Sequence, residues 1–298
     1  MRGRREQIHL LGGQSFRVLR WAQGVREVEV LLAPGSAVRL KGEGDHWHYH
    51  PAMELACFTV GEGTRFVGDH IAPFAAGDLV LLGGKLPHYW HAPGRTAGLA
   101  VQWHFPHGHP FWSFPETAAL SGLFKNAARG LRYAGPTATA LATAMQALAQ
   151  SGGPGRLGHL LHLFAQMAAA PAGDVTALSS RAFTFPTASV HQQAIGAAVR
   201  HLLANFRDVV RLDEVLRLTG MSKPTFSRQF KQHSGKTFSD FVNQLRLQAA
   251  CRALAETDEA VLEIALACGF SQVSFFNRLF RRVYRCSPTR YRARAKRR

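Results

Sequence analysis

The sequence predicts an α+β protein of several domains: an N-terminal β-barrel, a helical connector and an all-α C-terminal domain. Three observations support this fold class. Between residues 25 and 105, short apolar runs such as 28–32 and 79–82 alternate with turns that contain Gly or Pro, a pattern typical of many short strands. After Pro115, apolar residues recur every three or four positions, which indicates helices. Helical spacing resumes at about His191 and runs almost to the C-terminus.

These patterns divide the 298 residues into a barrel at 1–112, a helical connector at 113–169, a linker at 170–190 and the C-terminal domain at 191–298. The connector contains three apolar helical faces, which either form a dimer interface or pack on the barrel. The linker is rich in Ala, Ser, Thr, Pro and Gly and lacks periodicity. The last nine residues include six Lys or Arg and are predicted to form a frayed tail.

Positive charge is concentrated in the C-terminal domain. The chain has a net charge of +17; residues 191–298 contain 20 Lys and Arg against 8 Asp and Glu, whereas residues 1–190 contain 16 against 11. This asymmetry predicts a C-terminal domain that binds a polyanion, although a general solubility charge would look similar. The four Cys are far apart, no apolar run reaches the ~18 residues of a membrane span, and no secretory apolar segment is present. We therefore expect a cytoplasmic protein without a membrane partner.

The C-terminal domain contains a near-repeat with a period of 50 residues, in which FSRQFK at 226–231 matches FNRLFR at 276–281. In each copy two Phe lie four residues apart on one helical face, which predicts a core-facing side, and an Arg lies on another face. A short amphipathic helix and a Gly turn precede each copy, and Ser222 and Ser271 are suitable N-caps for the helix that follows. The domain is therefore predicted to contain two helix-turn-helix units.

Four stretches of this domain are specific: MSKPTFSRQF at 221–230, a helix at 238–254 that contains Arg246, IALACGFS at 264–271 and SPTRYR at 287–292. With them, residues 195–292 closely resemble the arabinose-regulator (AraC/XylS) family of bacterial transcription regulators. The resemblance implies two recognition helices, about 223–232 and 272–282, joined by a rigid linker helix and entering successive major grooves roughly 34 Å apart. Arg285 departs from the family pattern, which has Gly there, so strain is expected if this position needs a positive φ.

The resemblance and the outward placement of side chains single out residues for DNA contact. Base contacts suit side chains that can form two hydrogen bonds to one base, as Arg does with guanine and Asn with adenine. For this role we predict Lys223, Ser227, Arg228, Ser274, Asn277 and Arg278. Phosphate contacts position the protein without specifying sequence. For this role we predict Lys231, Arg281, Arg282 and the basic tail, with Gln272 at the start of the second helix as a further DNA-binding residue. The four Phe of the repeat are predicted to be core residues.

His48, His50 and Glu54 follow one another at even spacing, which in a strand places all three side chains on one face. His88 follows a second predicted strand. Two His, one carboxylate and a third His form a plausible ligand set for a divalent metal. A site that binds an organic ligand through the same groups, with no metal, is the alternative.

The spacing from Gly42 through Glu54 to Gly61 resembles the first motif of the cupin family, and Gly77 and His88 match part of the second motif. This resemblance implies a cupin-like barrel of the kind that senses ligands in the arabinose-regulator family. For effector binding we predict His48, His50, Glu54 and His88 from these motifs, and Arg65 and Trp90 from their chemistry and their position near the motifs. The metal, if present, is expected on His48, His50, Glu54 and His88.

Aromatic residues cluster around this motif. Aromatic faces beside His and Glu suit a carbohydrate or another small polar ring, although most of these residues could equally be barrel core. Strand alternation directs Trp47 and Tyr49 away from the site. The better candidates for its rim are then Phe58, Tyr89 and Trp90. Arg65 is expected either to contact an anionic group of the effector or to pair with Asp69.

The favoured function is a sequence-specific transcription regulator, either an activator or a repressor, that responds to a small-molecule effector such as a sugar. Its expected partners are double-stranded DNA, the effector, RNA polymerase if it is an activator, and a second copy of the chain. A metal-dependent cupin enzyme, an isomerase or oxygenase with secondary DNA binding, is the alternative function. A non-specific architectural DNA binder is a third, less favoured because the two recognition helices carry distinct outward residues.

Overall fold

The computed structural model of the chain describes residues 14–41, 44, 46–183 and 191–296. The chain forms two compact units, Met1–Val190 and His191–Arg298. The motif residue Gly42, residues 184–190 of the predicted linker and the last two residues of the predicted tail lie outside the described residues.

Within the described residues the first unit contains antiparallel strands arranged in two sheets. The strands are β1 (Phe16–Trp21), β2 (Glu27–Ala33), β3 (Ser36–Lys41), β4 (Met53–Val60), β5 (Gly63–Val67), β6 (His70–Phe74), β7 (Asp78–Leu82), β8 (His88–His91), β9 (Ala97–Trp103), β10 (Leu131–Tyr133) and β11 (Val175–Ala177). The larger sheet has the order β11-β10-β7-β4-β9-β1-β2-β3, and the smaller sheet has the order β6-β5-β8. Three helices follow β9 along the chain: α1 (Leu120–Asn126), α2 (Gly135–Ala149) and α3 (Gly153–Ala168).

The two faces of the large sheet are buried by different layers. On one face, residues such as Leu55 and Trp103 pack against the helices, and the rings of Trp103 and Phe164 lie 4.9 Å apart between centroids. On the other face, residues such as Leu19 and Ala56 share a core with the small sheet. Because strand side chains alternate, the same strands supply both cores. The large sheet therefore lies between a helical layer and the small sheet.

The predicted barrel and domain boundaries need correction. The described strands form two sheets rather than one closed barrel. The predicted connector is not a separate element, because β10 pairs with β7 and the connector helices pack on the large sheet. The linker prediction is wrong for Val175–Ala177, which pair with β10; a three-residue strand is too short to show periodicity. Strand β1 was missed because residues on both of its faces are buried, so its sequence does not alternate.

The second unit is all-helical within its described residues. Its helices are α4 (Gln192–Asn205), α5 (Leu212–Thr219), α6 (Lys223–Ser234), α7 (Phe238–Glu256), α8 (Val261–Ala267), α9 (Val273–Tyr284) and α10 (Pro288–Ala295). Helices α5 and α6 form one helix-turn-helix unit, α8 and α9 form the other, and α7 joins them. The buried positions of Phe226, Phe230, Phe276 and Phe280 confirm the core prediction from the repeat.

Two details of the second unit differ from expectation. Residues 290–295 are not frayed, because α10 packs Tyr291 against Phe280 at 5.6 Å between centroids and its Arg292 donates to the Glu259 carbonyl at 2.5 Å. The basic composition of this segment obscured that contact. The N-cap of α9 is Gln272 rather than Ser271, so the helix begins one residue later than predicted.

Candidate effector cavity and DNA-binding face

A row of buried polar side chains crosses three neighbouring strands of the large sheet. Strand register places Arg17 of β1 beside Gln102 of β9, and Gln102 beside Glu54 of β4. Arg17 Nε donates to Gln102 Oε1 at 2.5 Å, and Gln102 Nε2 donates to Glu54 Oε2 at 2.5 Å. Each of the three residues is less than a tenth exposed. The row is therefore a hydrogen-bonded network that the sheet itself assembles.

Three buried histidines lie beside this row. In His48, His50 and His88, Nδ1 donates to a backbone carbonyl within two residues along the chain, at 2.7, 3.0 and 2.8 Å respectively. Since a carbonyl only accepts, these bonds place a proton on each Nδ1 and direct each Nε2 elsewhere. One ring nitrogen of each histidine lies within 4.8 Å of those of the other two. Such a set of imidazoles, oriented by backbone bonds, can hold a divalent metal.

Glu54 connects the histidines to the polar row. His50 Nε2 lies 3.1 Å from Glu54 Oε2, whereas His88 Nε2 lies 3.9 Å from the same oxygen and has no hydrogen-bond partner among the described residues. Burial alone would raise the pKa of Glu54, but the hydrogen bonds from His50 and Gln102 and the nearby imidazoles hold that pKa well below its usual range. Burial lowers the pKa of His88 well below its ordinary value. At neutral pH an ionised carboxylate therefore lies beside a neutral imidazole.

These groups face a cavity between the two sheets. Its empty space, including the part open to solvent, is about 530 Å³. One wall is aromatic: the rings of Phe58 and Trp90 stack with centroids 5.2 Å apart, and Trp21 meets Phe58 edge-on at 5.0 Å. The cavity thus combines aromatic faces with a buried polar row.

Most of the sequence-predicted effector residues reach this cavity. The residues that line it include His48, Glu54, His88 and Trp90, and His50 lies behind Glu54. The argument that placed His48, His50 and Glu54 on one strand face was wrong, because β4 begins at Met53. His48 instead reaches the site through a two-hydrogen-bond bridge to His88, at 3.2 and 2.9 Å.

Arg65 does not line the cavity. Its guanidinium donates to Asp78 Oδ1, and Trp90 Nε1 donates to Asp78 Oδ2 at 3.1 Å. The expected partner Asp69 instead accepts from Ser179, at 2.9 Å. Arg65 is therefore held in a buried ion pair that joins the two sheets, so the expected pairing with Asp69 is wrong, while its role as an effector ligand stays a prediction.

Tyr89 also lies outside the cavity. It has the opposite parity on β8 from His88 and Trp90, and its ring stacks on Phe66 with centroids 6.0 Å apart. Trp47 is buried and meets the same Phe66 at 5.9 Å, in line with its predicted direction away from the site.

Sequence reasoning missed Arg17 and Gln102. Arg17 lies on β1, a strand that was not predicted. Gln102 is the only strongly polar residue in AGLAVQW at 97–103, and a lone amide in an apolar strand was the available signal. Only the register of three strands shows that these residues flank Glu54.

The second unit presents the residues predicted to bind DNA. The Phe pairs hold one face of α6 and one face of α9 in the core, so the remaining faces point outward. The exposed members of the predicted set are Lys223, Ser227, Arg228, Lys231, Gln272, Ser274, Arg278, Arg281 and Arg282, and Asn277 is half-buried. Both recognition helices thus carry basic and amide side chains in their outer turns, as DNA recognition requires.

Comparisons with known proteins find similarity to helix-turn-helix proteins and transcription regulators. Residues 215–294 match a family model described as a helix-turn-helix domain. The HTH-type transcriptional activator RhaS of Pectobacterium carotovorum is 24% identical over 248 residues, which cover 81% of this chain and 85% of RhaS. The regulatory protein PocR of Salmonella typhimurium is 34% identical over 102 residues, which cover 34% of each chain. A solved transcriptional regulator from Chromobacterium violaceum with an AraC-type DNA-binding domain is 31% identical, with a TM-score of 0.33, over 35% of this chain and 93% of its own.

Two helix-turn-helix units with basic outer faces define a DNA-binding transcription regulator. The helix-turn-helix match begins at residue 215, within α5, and includes the rest of both units, and similarity to RhaS extends over most of the chain. The protein is accordingly a DNA-binding transcription regulator with a C-terminal helix-turn-helix domain. The relatives that span most of the chain are named as transcriptional activators, and not as enzymes. In the part of the chain that the structure describes, no helix is long and apolar enough to cross a bilayer.

Proposed function

We propose that this regulator responds to a small-molecule effector that binds in the cavity between the two sheets of its first unit. The observation that carries the proposal is the buried row Arg17, Gln102 and Glu54, which faces the same cavity as His48 and His88. Burying a polar group costs free energy unless it is hydrogen-bonded, and an apolar sheet core needs none. A row of this kind beside an open volume is typical of a ligand site.

The composition of the cavity favours a carbohydrate or a related polar ring as the effector. Hydroxyl groups both donate and accept, which suits a carboxylate, an amide and imidazoles arranged around one volume. Trp21 and Trp90 offer apolar faces for the C–H side of such a ring. Binding through the polar row would be accompanied by contact with this aromatic wall.

A divalent metal is the second element of the proposal. His48, His50, His88 and Glu54 would hold it, and the unpartnered Nε2 of the buried His88 supports this fit. The backbone bonds to each Nδ1 keep the imidazoles in the orientation and tautomer that metal binding requires. When bound, such an ion would polarise oxygen atoms of the effector; the alternative is direct hydrogen bonding to the same side chains.

We further propose that this protein is an activator and that it forms a homodimer. RhaS is named as a transcriptional activator, and activation would make RNA polymerase a partner and the cytoplasm the place of action. A homodimer is proposed through the outer face of α3. Leu157 and Leu161 lie one turn apart on this face and are 46% and 42% exposed.

The test is a reporter whose promoter carries a duplex selected from random DNA by the full-length protein. Cells would be supplied in turn with individual pentoses and hexoses. We expect the wild type to respond to at least one sugar and His88→Ala to lose that response while its DNA affinity without sugar stays within about twofold. His91→Ala is the matched control, because it lies on the same strand outside the cavity lining. A response that survives the combined loss of His48, Glu54 and His88 would exclude the cavity.

The metal content of the protein distinguishes a metal-bridged effector from an effector that hydrogen-bonds directly to the side chains. Purified wild type and His48→Ala would be incubated with Zn²⁺ or Mn²⁺, desalted and analysed for metal. One equivalent in the wild type, absent from His48→Ala, supports a metal-bridged effector. No bound metal in the wild type, combined with an intact sugar response, supports direct hydrogen bonding.

A further inference from the structure

The two helix-turn-helix units have separate cores that share one helix. The first half of α7 places Phe241 against Phe230, with centroids 5.3 Å apart. Its second half places Leu247 and Leu254 in a core with Phe276 of the second recognition helix. A single shared helix fixes the distance between two cores, but small rotations about its axis would still change the angle between the recognition helices.

A second connection lies beside α7, at Arg246. Its Nε donates to the carbonyl of Phe206 at 2.7 Å, and its Nη2 donates to the carbonyl of Asp208 at 2.9 Å. Both carbonyls follow the end of α4, which packs on α5 and α6 in the first half of the unit. The guanidinium carbon also lies 6.0 Å from the ring centroid of Phe270, a buried residue of the second core. Arg246 thus contacts both halves at once.

The turn of the second helix-turn-helix unit packs on the same point. Gly269 has a φ of +88°, and a Cβ at this position would lie 2.5 Å from the carbonyl oxygen of Arg207 and 2.9 Å from Nε of Arg246. The close approach therefore needs Gly for two reasons, its backbone conformation and its lack of a side chain. The α8–α9 turn is held directly against the segment that ends α4.

We propose that Arg246 is a positioning residue that sets the relative orientation of the two recognition helices, α6 and α9. It acts with the Arg207–Gly269 contact as an off-axis brace between the two halves of the DNA-binding unit. Arg246 is not one of the predicted DNA-contacting residues. It affects DNA binding by orienting the helices that carry those residues. Its role follows from the established DNA-binding function and does not depend on the effector cavity.

The relative orientation of α6 and α9 affects affinity because the two helix-turn-helix units are linked. Once one unit is bound, binding of the other to the same DNA is intramolecular. The gain in affinity is largest when the linked modules already match the separation of their sites, and it falls when the modules sample other orientations. A base pair inserted between two half-sites shifts the second by about 3.4 Å along the helix axis and rotates it. A braced protein should therefore discriminate strongly among half-site spacings.

The test uses full-length protein and a duplex selected from random DNA by the wild type. Affinity would be measured for this duplex, for versions with one base pair inserted or removed between the half-sites, and for a version with one half-site scrambled. We expect Arg246→Ala to bind the selected duplex at least about tenfold more weakly than the wild type. Binding to the scrambled duplex should change less than about twofold, and the preference for the selected spacing should be largely lost.

Arg246→Lys should retain only part of the spacing preference. Its single ammonium group does not reproduce the planar guanidinium that donates to two carbonyls at once. Gly269→Ala should lose the spacing preference in the same way. Arg252→Ala is the control for removing a guanidinium from α7, and any effect it has should be equal on all the duplexes. Thermal unfolding of each variant would confirm a folded DNA-binding unit, and Arg246→Gln replaces Arg246→Ala if the latter does not fold. An equal loss on selected and scrambled duplexes, or an unchanged spacing preference, would overturn the proposal.

Discussion

At the scale of single residues, the two helix-turn-helix units end their second helices differently. Gly235 ends α6 with a φ of 71°, and Arg285 ends α9 with a φ of 57°. Both residues adopt the left-handed conformation, so the condition under which the sequence predicts strain at Arg285 is met. An L-residue with a Cβ is strained in this region, whereas Gly is not.

We expect Arg285→Gly to raise the free energy of unfolding by ~0.5–1 kcal/mol, because relief of left-handed strain is partly offset by the greater chain entropy of Gly. Chemical denaturation of the protein, monitored through the helical signal, would measure this change. Gly235→Ala is the reciprocal control and should destabilise by about 1 kcal/mol. A lower stability of Arg285→Gly would show that the Arg285 side chain contributes more than its backbone costs.

The recognition helices allow a second prediction at this scale. We expect Arg278→Ala to cost ~1–3 kcal/mol on a selected duplex and to relax sequence preference in one half-site, because Arg forks to a base edge. Lys231→Ala should weaken binding to all sequences by a similar factor, as loss of a phosphate contact does. Competition between selected and random DNA would measure both effects. Equal losses on the two DNAs for Arg278→Ala would assign that residue to phosphate.

At the scale of elements, α3 has two different apolar faces. Its inner face, which includes Leu160 and Phe164, is buried on the large sheet. Its outer face carries Leu157, Leu161 and Ala165, all exposed. Of the two alternatives in the sequence, packing on the β-structure accounts for the inner face, and the outer face remains available for a second copy of the chain.

We expect the double substitution Leu157→Glu and Leu161→Glu to convert a dimer into a monomer, because it places two like charges on each side of the proposed interface. Sedimentation at several protein concentrations would measure the change. Gln146→Glu, which adds a charge at an exposed position of α2, should leave the dimer intact. A wild type that is monomeric at all concentrations would contradict the use of this face.

At the scale of the whole molecule, the charge is divided between the two units. The second unit contains 20 basic and 8 acidic residues and has its own buried cores. It therefore has both the potential to attract DNA and the packing to hold its recognition helices without the first unit.

We expect residues 191–298 alone to bind duplex DNA, with an affinity that falls more than about 100-fold between 50 and 200 mM salt through counterion release. Fluorescence anisotropy with the selected duplex at several salt concentrations would measure it. Residues 14–183, expressed as the matched fragment, should not bind. Loss of binding by the C-terminal fragment, or an affinity independent of salt, would contradict this prediction.

The sequence by itself determined the local features of this protein. The 50-residue repeat, with its Phe at i and i+4 and its Gly turns, defined both helix-turn-helix units, since a helix reports its buried face through neighbouring positions along the chain. The uneven charge also located the DNA-binding unit, because the charge of a segment can be counted from its own residues without knowing the fold. His48, Glu54 and His88 were found from residue type and spacing, although the strand argument that connected them was wrong.

Only the tertiary structure decided which distant residues share a site. Arg17, Gln102 and Glu54 come from three strands separated by as many as 85 positions, and their alignment depends on strand register, which no single strand encodes. Arg65 does not line the cavity because it pairs with Asp78, thirteen residues away, in the buried space between the sheets. The brace at Arg246 depends likewise on carbonyls 38 and 40 residues earlier in the chain. In each case a polar group takes the partner that packing brings within hydrogen-bond distance, and packing is a property of the whole unit.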